Sequence, residues 1–172
     1  MTIDEIYTRS SVRSYRQDMP VSEDDITAML RAAMSAPSAG NKQPWAFVVV
    51  KERATIDALA DVLDYGKFLK KSPLVIVLCG DITKTIPGEG KEFWVQDVSA
   101  ATENMLLAAH CLGLGAVWLG IYPMSDRTAA LAKILGLPEN IIPMSVVSAG
   151  HPKKDPNIKD KWDETKIHRE KW

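Results

Sequence analysis

The apolar positions of the chain recur at helical spacing in some segments and form short continuous runs in others, which predict helices and strands respectively. In chain order the pattern predicts a short helix IDEIYTR, a helix after Ser22, a strand over 45–50, a helix over 55–63, a strand LVIVLC, a helix over 93–112, a strand GAVWLGI, a helix DRTAALAKIL and a strand over 141–149. Because helices and strands alternate, we expect a central sheet covered on both faces.

The ends and faces of these elements can also be predicted. Ser22 and Ser125 are the expected N-caps of their helices, and Gly136 is the expected stop of the second one. The run LVIVLC has no polar alternation, as in a strand that is buried on both faces. Two helical faces are expected to be apolar, one formed by Ile26, Met29, Leu30, Ala33 and Met34 and the other by Val98, Ala101, Met105, Ala108 and Leu112.

Composition and charge narrow the class of protein. The chain has 172 residues, of which 46% are hydrophobic and 25% are charged, which fits one globular domain over 1–172. A net charge of −1 gives no basic field for nucleic acid. Without a long apolar run or a signal-peptide pattern at the start, we expect no membrane partner and a cytoplasmic location. Cys79 and Cys111 are predicted to be buried thiols of a reducing compartment.

The last segment, residues 151–172, differs from the rest in composition. It contains twelve charged residues and only Ile158, Trp162, Ile167 and Trp172 as large apolar side chains, so it cannot form a core of its own. It is therefore either disordered or docked on a surface made elsewhere. Two tryptophans favour docking, for example on a second subunit.

Standard catalytic and metal-binding motifs are absent from the sequence. His110, His151 and His168 are far apart and have no partners at zinc-ligand spacing, so we expect no metal site. The stretch GLGAVWLG lacks the third glycine of the dinucleotide fingerprint and precedes a strand, where that fingerprint should follow one. A dinucleotide-binding fold is therefore excluded.

Two groups of polar residues remain unexplained by the fold. The stretch PSAGNKQPW over 37–45 is longer than a plain connection between a helix and a strand needs, which suggests a backbone that approaches a polar ligand; a plain turn with a core Trp45 is the alternative. The other group could bind an anion or could simply be solvated surface charge; it comprises Arg9, Ser10, Ser11, Arg13, Lys159 and Lys161.

Four stretches, RSSVRSY, PSAGNKQPW, QDVSAATENMLLAAHCLGLGAVWLG and KDKWDETKIHREKW, together resemble the nitroreductase family of flavoproteins. They occur in the family's order and span nearly the whole chain. The resemblance implies an α+β fold, namely a three-layer α/β/α sandwich with a mixed, mostly antiparallel sheet. It also implies a homodimer with FMN at the subunit interface and with residues 151–172 wrapping the partner subunit.

The resemblance implies cofactor-binding roles for particular residues of this sequence. Phosphate and ribityl oxygens would be held by Arg9, Ser10, Ser11, Lys159 and Lys161. The second basic residue of the tail pair is often arginine in the family, so Lys161 would hold phosphate less rigidly. The flavin ring and its ribityl chain would be contacted by Arg13, Ser38, Ala39, Asn41, Gln43, Leu119 and Gly120.

The implied reaction uses the chemistry of the cofactor. NADH or NADPH would reduce the flavin. A small planar acceptor, such as a nitroaromatic or a quinone, would then reoxidise the flavin in ping-pong order. Arg13 would have a possible electrostatic role, and no side chain is expected to be catalytic. Candidate substrate contacts are Tyr65, Phe68, Phe93 and Trp94. The alternatives are an FMN storage or sensor module without significant turnover, another flavin-based redox reaction, and a structural protein without cofactor.

Overall fold

A computed structural model describes residues 2–172. Within them lie five α-helices and four strands: α1 (Ile3–Thr8), α2 (Glu23–Met34), β1 (Trp45–Val50), α3 (Arg53–Asp61), β2 (Leu74–Asp81), α4 (Phe93–Cys111), β3 (Gly115–Gly120), α5 (Ser125–Leu135) and β4 (Ile141–Gly150). All nine predicted elements are present. The bounds of α3 lie two residues earlier than predicted, and the N-cap of α5 is Met124 rather than Ser125.

The four strands form one sheet in the order β1-β2-β4-β3, and every neighbouring pair is antiparallel. An isolated parallel bridge joins Ser11 to Ala116 at the β3 edge. The expected α+β class with a mostly antiparallel sheet is therefore confirmed.

Strand β2 shows why the sheet is covered on both sides. Leu74, Ile76 and Leu78 belong to the core cluster that contains α2 and α4, whereas Val75 and Val77 belong to the cluster that contains α3 and α5. Successive residues of a strand point to opposite faces, so a continuous apolar run supplies both cores. The predicted three-layer arrangement is confirmed.

Three residues that were predicted to be buried are not. Met34 is 51% exposed and Leu112 is 39% exposed, and Cys111 is an exposed thiol. All three lie at or just beyond the C-terminal end of a helix, and helical spacing alone does not show where along a helix the packed region ends. Cys79 is buried as predicted, and burial raises the pKa of its thiol to about 12.

The end of the chain lies on the surface of the protomer. Beyond a 3₁₀ turn at Glu164–Lys166 it has no regular structure, and Trp162 and Trp172 are 74% and 100% exposed. Docking of these side chains on a second subunit stays a prediction. Within residues 2–172, no helix combines the length and the apolar character needed to cross a membrane.

Candidate functional site

The N-terminal segment 9–16 runs along the edge strand β3 and pairs with the start of the tail, just beyond the end of β4. The Val12 amide donates to the Ala116 carbonyl at 2.9 Å, the Arg16 amide donates to the His151 carbonyl at 2.9 Å, and the Lys153 amide donates to the Ser14 carbonyl at 3.0 Å. These backbone bonds bring together two parts of the chain that are more than 130 residues apart in sequence.

Gly115 and Tyr15 fix the N-terminal segment against the sheet. A Cβ at Gly115 would lie 2.6 Å from a methyl carbon of Val12, so only glycine allows this close approach. The buried Tyr15 hydroxyl donates to the Val12 carbonyl at 2.7 Å and accepts from the Ser148 hydroxyl at 2.8 Å. Burial raises the pKa of Tyr15 above its ordinary range, so the hydroxyl stays protonated and keeps donating.

This pairing creates a basic cavity of about 390 Å³. It is lined by Arg9, Ser10, Ser11, Arg13, Asn157, Lys159 and Lys161. No lining residue is acidic, and three of the four cations have no ion-pair partner within residues 2–172. The cavity therefore offers positive charge and hydroxyl groups, which is the donor set of a phosphate site.

Arg9 is the cation of this cavity that does have an acidic partner. Its Nε lies 3.2 Å from Oε1 of Glu103 on α4, and its side chain is only 18% exposed. The contact uses Nε, so the two Nη groups of the guanidinium remain available to an anion. Glu103 was not predicted as a site residue, because a glutamate on a helix carries no signal that distinguishes it from surface charge.

A second cavity, of about 250 Å³, adjoins the basic cavity through Arg13, which lines both. It lies between the end of β3 and the turn after α3, and its other lining residues are Leu63, Asp64, Tyr65, Phe68, Trp118, Leu119, Gly120 and Arg127. Flat apolar side chains and exposed backbone suit a planar ring. The structure thus brings the predicted residues Arg13, Leu119 and Gly120 together with two of the predicted aromatic residues, Tyr65 and Phe68.

Arg127 also lines this second cavity, which we call the ring cavity, and the sequence analysis did not predict it. Its Nη2 lies 2.9 Å from Oδ2 of Asp64, and its Nη1 donates to the Gly120 carbonyl at 3.4 Å. It therefore ties α5 to the wall of the cavity and to the end of β3. Nothing in the pattern of α5 separates this arginine from an ordinary solvated one.

The loop 38–43 has an unusual backbone and lies apart from both cavities. It forms a 3₁₀ turn at Ala39–Asn41, and Gly40, Asn41 and Gln43 have φ values of 55°, 53° and 49°. It leads into β1, which is three strand positions from β3, or about 14 Å at the usual spacing. A single chain therefore places Ser38, Ala39, Asn41 and Gln43 away from Leu119 and Gly120.

The segment 86–93, which ends at the predicted substrate contact Phe93, lies next to this loop, because a Cβ at Gly40 would contact Ile86 Cδ1 at 3.6 Å. Phe93 is 42% exposed and could contact a ligand there. Trp94 is 2% exposed and packs edge-on against Tyr122, with 4.8 Å between ring centroids. As placed, Trp94 is a core residue with no free face, so its predicted substrate contact does not fit this position.

The protein therefore has an α+β fold in which a basic cavity adjoins a second cavity lined in part by aromatic side chains. The model of the family described as "Nitroreductase family" matches residues 6–151, and the chain therefore belongs to the nitroreductase family.

Relatives that align along nearly their whole length support the assignment. The chain is 48% identical to an Archaeoglobus fulgidus protein provisionally named NADH dehydrogenase/NAD(P)H nitroreductase, over 97% of this chain and 96% of that one. A Parabacteroides distasonis crystal structure of the same provisional name has a TM-score of 0.93 at 39% identity, covering 99% and 98% of the two chains. A Desulfovibrio desulfuricans structure, provisionally named a nitroreductase in complex with FMN, has a TM-score of 0.86 at 32% identity, covering 99% and 96%.

Proposed function

We propose that the protein is an FMN-dependent oxidoreductase that takes electrons from NADH or NADPH and passes them to small planar acceptors such as nitroaromatics or quinones. The observation that carries this proposal is the basic cavity that opens, through Arg13, onto the ring cavity. One phosphate-bearing molecule with a planar ring would fill both. The relatives' names, which include an FMN reductase [NAD(P)H] of Bacillus subtilis, support the choice of cofactor and donor.

The residues present fit an FMN phosphate. Arg9, Lys159 and Lys161 supply positive charge, and Ser10 and Ser11 supply hydroxyl donors, in a cavity without an acidic lining residue. A phosphate monoester carries up to two negative charges at neutral pH, so this charge balance favours it. The bound cofactor supplies a centre that accepts and returns a hydride.

The ring cavity suggests what the side chains contribute to the reaction. Arg13 and Arg127 place positive charge beside the ring position, where it would stabilise negative charge on a reduced ring. Asp64 is the acidic residue of the cavity, and it is 77% exposed and paired with Arg127. We therefore assign no side chain as a general acid. An open cavity that serves donor and acceptor in turn predicts ping-pong kinetics.

We propose that a homodimer completes the site. The loop 38–43 lies at the β1 edge, away from the two cavities of its own protomer, so a second copy could bring its loop against the ring. Exposed apolar side chains support burial between copies: Ile3, Ile6, Tyr7, Ile158, Trp162 and Ile167 are all at least 43% exposed. The tail 151–172 would then lie across the partner.

Initial-rate kinetics test the proposed activity. FMN-reconstituted protein is assayed by oxidation of NADH or NADPH at several fixed concentrations of a nitroaromatic and of a quinone, with the apo-protein as control. The proposal expects parallel double-reciprocal lines and no rate without FMN. Intersecting lines would refute the ping-pong order, and the absence of a rate with either nucleotide would refute the reductase.

A further inference from the structure

Asp97 is a buried carboxylate that the proposed chemistry does not use. It lies in the N-terminal part of α4, its exposed fraction is 7%, and it has no ion-pair partner within residues 2–172. Burying a carboxylate is unfavourable unless hydrogen bonds compensate for the lost water. Its Oδ1 accepts one such bond, from the amide of Ala39 at 2.8 Å.

Ala39, whose amide donates to Asp97, lies near the start of the loop 38–43. Ala39 opens the 3₁₀ turn, and Gly40, Asn41 and Gln43 follow with positive φ. For Asn41 and Gln43 this backbone region is disfavoured, so surrounding contacts have to maintain it.

The other side-chain bonds of the loop are internal to it. The Gln43 amide donates to Oγ of Ser38 at 2.9 Å, and Nε2 of Gln43 donates to Oδ1 of Asn41 at 2.9 Å. Such bonds preserve the shape of the loop but cannot fix its position relative to the core. The bond from Asp97 can fix the position of the loop, because the neighbouring residues Trp94 and Val98 are buried and anchor α4 in the core.

We propose that Asp97 is a positioning residue for the flavin ring: its hydrogen bond to the Ala39 amide sets the place and orientation of the loop 38–43, so that Ser38 and Asn41 present their polar atoms to the ring. This inference rests on the proposed function, in which the loop contacts the isoalloxazine. Asp97 would thus help to shape the flavin site although it is buried in α4 and lines neither cavity.

Two substitutions separate the hydrogen bond from the charge. Asp97→Ala removes the acceptor, whereas Asp97→Asn keeps an Oδ1 that can accept from the same amide. Thr102→Val is the matched control, because Thr102 is a buried polar residue of the same helix whose hydroxyl bonds the Val98 carbonyl and the Ser145 hydroxyl rather than the loop. It reports the effect of losing a buried hydrogen bond on α4 without a change at Ala39.

The readouts are the FMN dissociation constant, the visible absorption spectrum of the bound flavin and the hydrogen-exchange protection of the Ala39 amide in the apo-protein. Asp97→Ala is expected to weaken FMN binding by about tenfold or more, to shift the flavin spectrum and to lose protection at Ala39. Asp97→Asn is expected to restore all three. Thr102→Val is expected to lower thermal stability and to leave all three unchanged.

Unchanged FMN binding and spectrum in Asp97→Ala would overturn the inference, and so would an Asp97→Asn variant as impaired as Asp97→Ala. An equal effect of Thr102→Val would reduce Asp97 to a structural residue. Failure of the wild-type protein to bind FMN would refute the proposed function and, with it, the role of Asp97 toward the flavin. Binding by the wild type with no effect of Asp97→Ala would refute the inference alone.

Discussion

Replacing Arg9 with alanine is expected to weaken FMN binding without unfolding the protein. The guanidinium lines the basic cavity, is mostly shielded from solvent and pairs with Glu103 through Nε. Its Nη groups are therefore already oriented when a phosphate enters, so binding needs little reordering of this side chain.

The size of the effect follows from this geometry. A hydrogen bond between charged partners contributes about 1.5 to 3 kcal/mol, which corresponds to a roughly 10- to 150-fold rise in the dissociation constant. The substitution leaves Glu103 without its partner, but the carboxylate is 47% exposed and stays solvated. Loss of an ion pair this exposed should cost less than about 1 kcal/mol of folding stability.

Titration of apo-protein by flavin fluorescence measures the effect, and riboflavin provides a ligand control. Riboflavin has the same ring and ribityl chain but no phosphate, so its affinity should be the same in wild type and Arg9→Ala. The difference between the two flavins should also shrink as salt is raised, because ions screen the phosphate contact. Equal losses for FMN and riboflavin, or an FMN affinity within about twofold of wild type, would remove Arg9 from the phosphate site.

Three further outcomes are expected. Lys159→Ala should weaken FMN binding, whereas Lys154→Ala, on an exposed lysine of the same tail outside the cavity, should not; equal effects would indicate a general charge effect. Deleting residues 157–172 should give a monomer that contains no flavin, and a flavin-containing dimer would contradict the proposed role of the tail. Leu131→Ala, at a fully buried position, should lower the free energy of unfolding by about 2 to 5 kcal/mol, against at most about 0.5 for the exposed Lys133→Ala, as measured by denaturant titration.

The fold could be predicted in large part because burial leaves a pattern in the sequence. The run 74–79 has no polar interruption, and it became the strand with a core on each side. The pattern was misleading at the ends of helices, as at Cys111 and at the N-cap of α5, because helical spacing does not show where a helix stops being covered or which residue caps it.

The candidate site could be predicted only where its residues form motifs. Arg9 and Lys159 were brought together on resemblance alone, since spacing cannot show that the tail pairs with segment 14–16. Glu103 and Arg127 resemble ordinary surface charges, so nothing in the sequence marks them as site residues. Asp97 is different, because it lies beside Val98 on the buried side of α4, where a carboxylate is unexpected unless it is hydrogen-bonded.

The most direct test of the account is an absorbance spectrum of the purified, FMN-reconstituted protein, recorded before and after anaerobic addition of NADH and then of NADPH. The account predicts a bound-flavin spectrum that bleaches with at least one nucleotide and returns when a nitroaromatic or a quinone is added. A bound flavin that neither nucleotide reduces would contradict the reductase and favour a storage or sensor role. Protein that binds no FMN would contradict the assignment of both cavities.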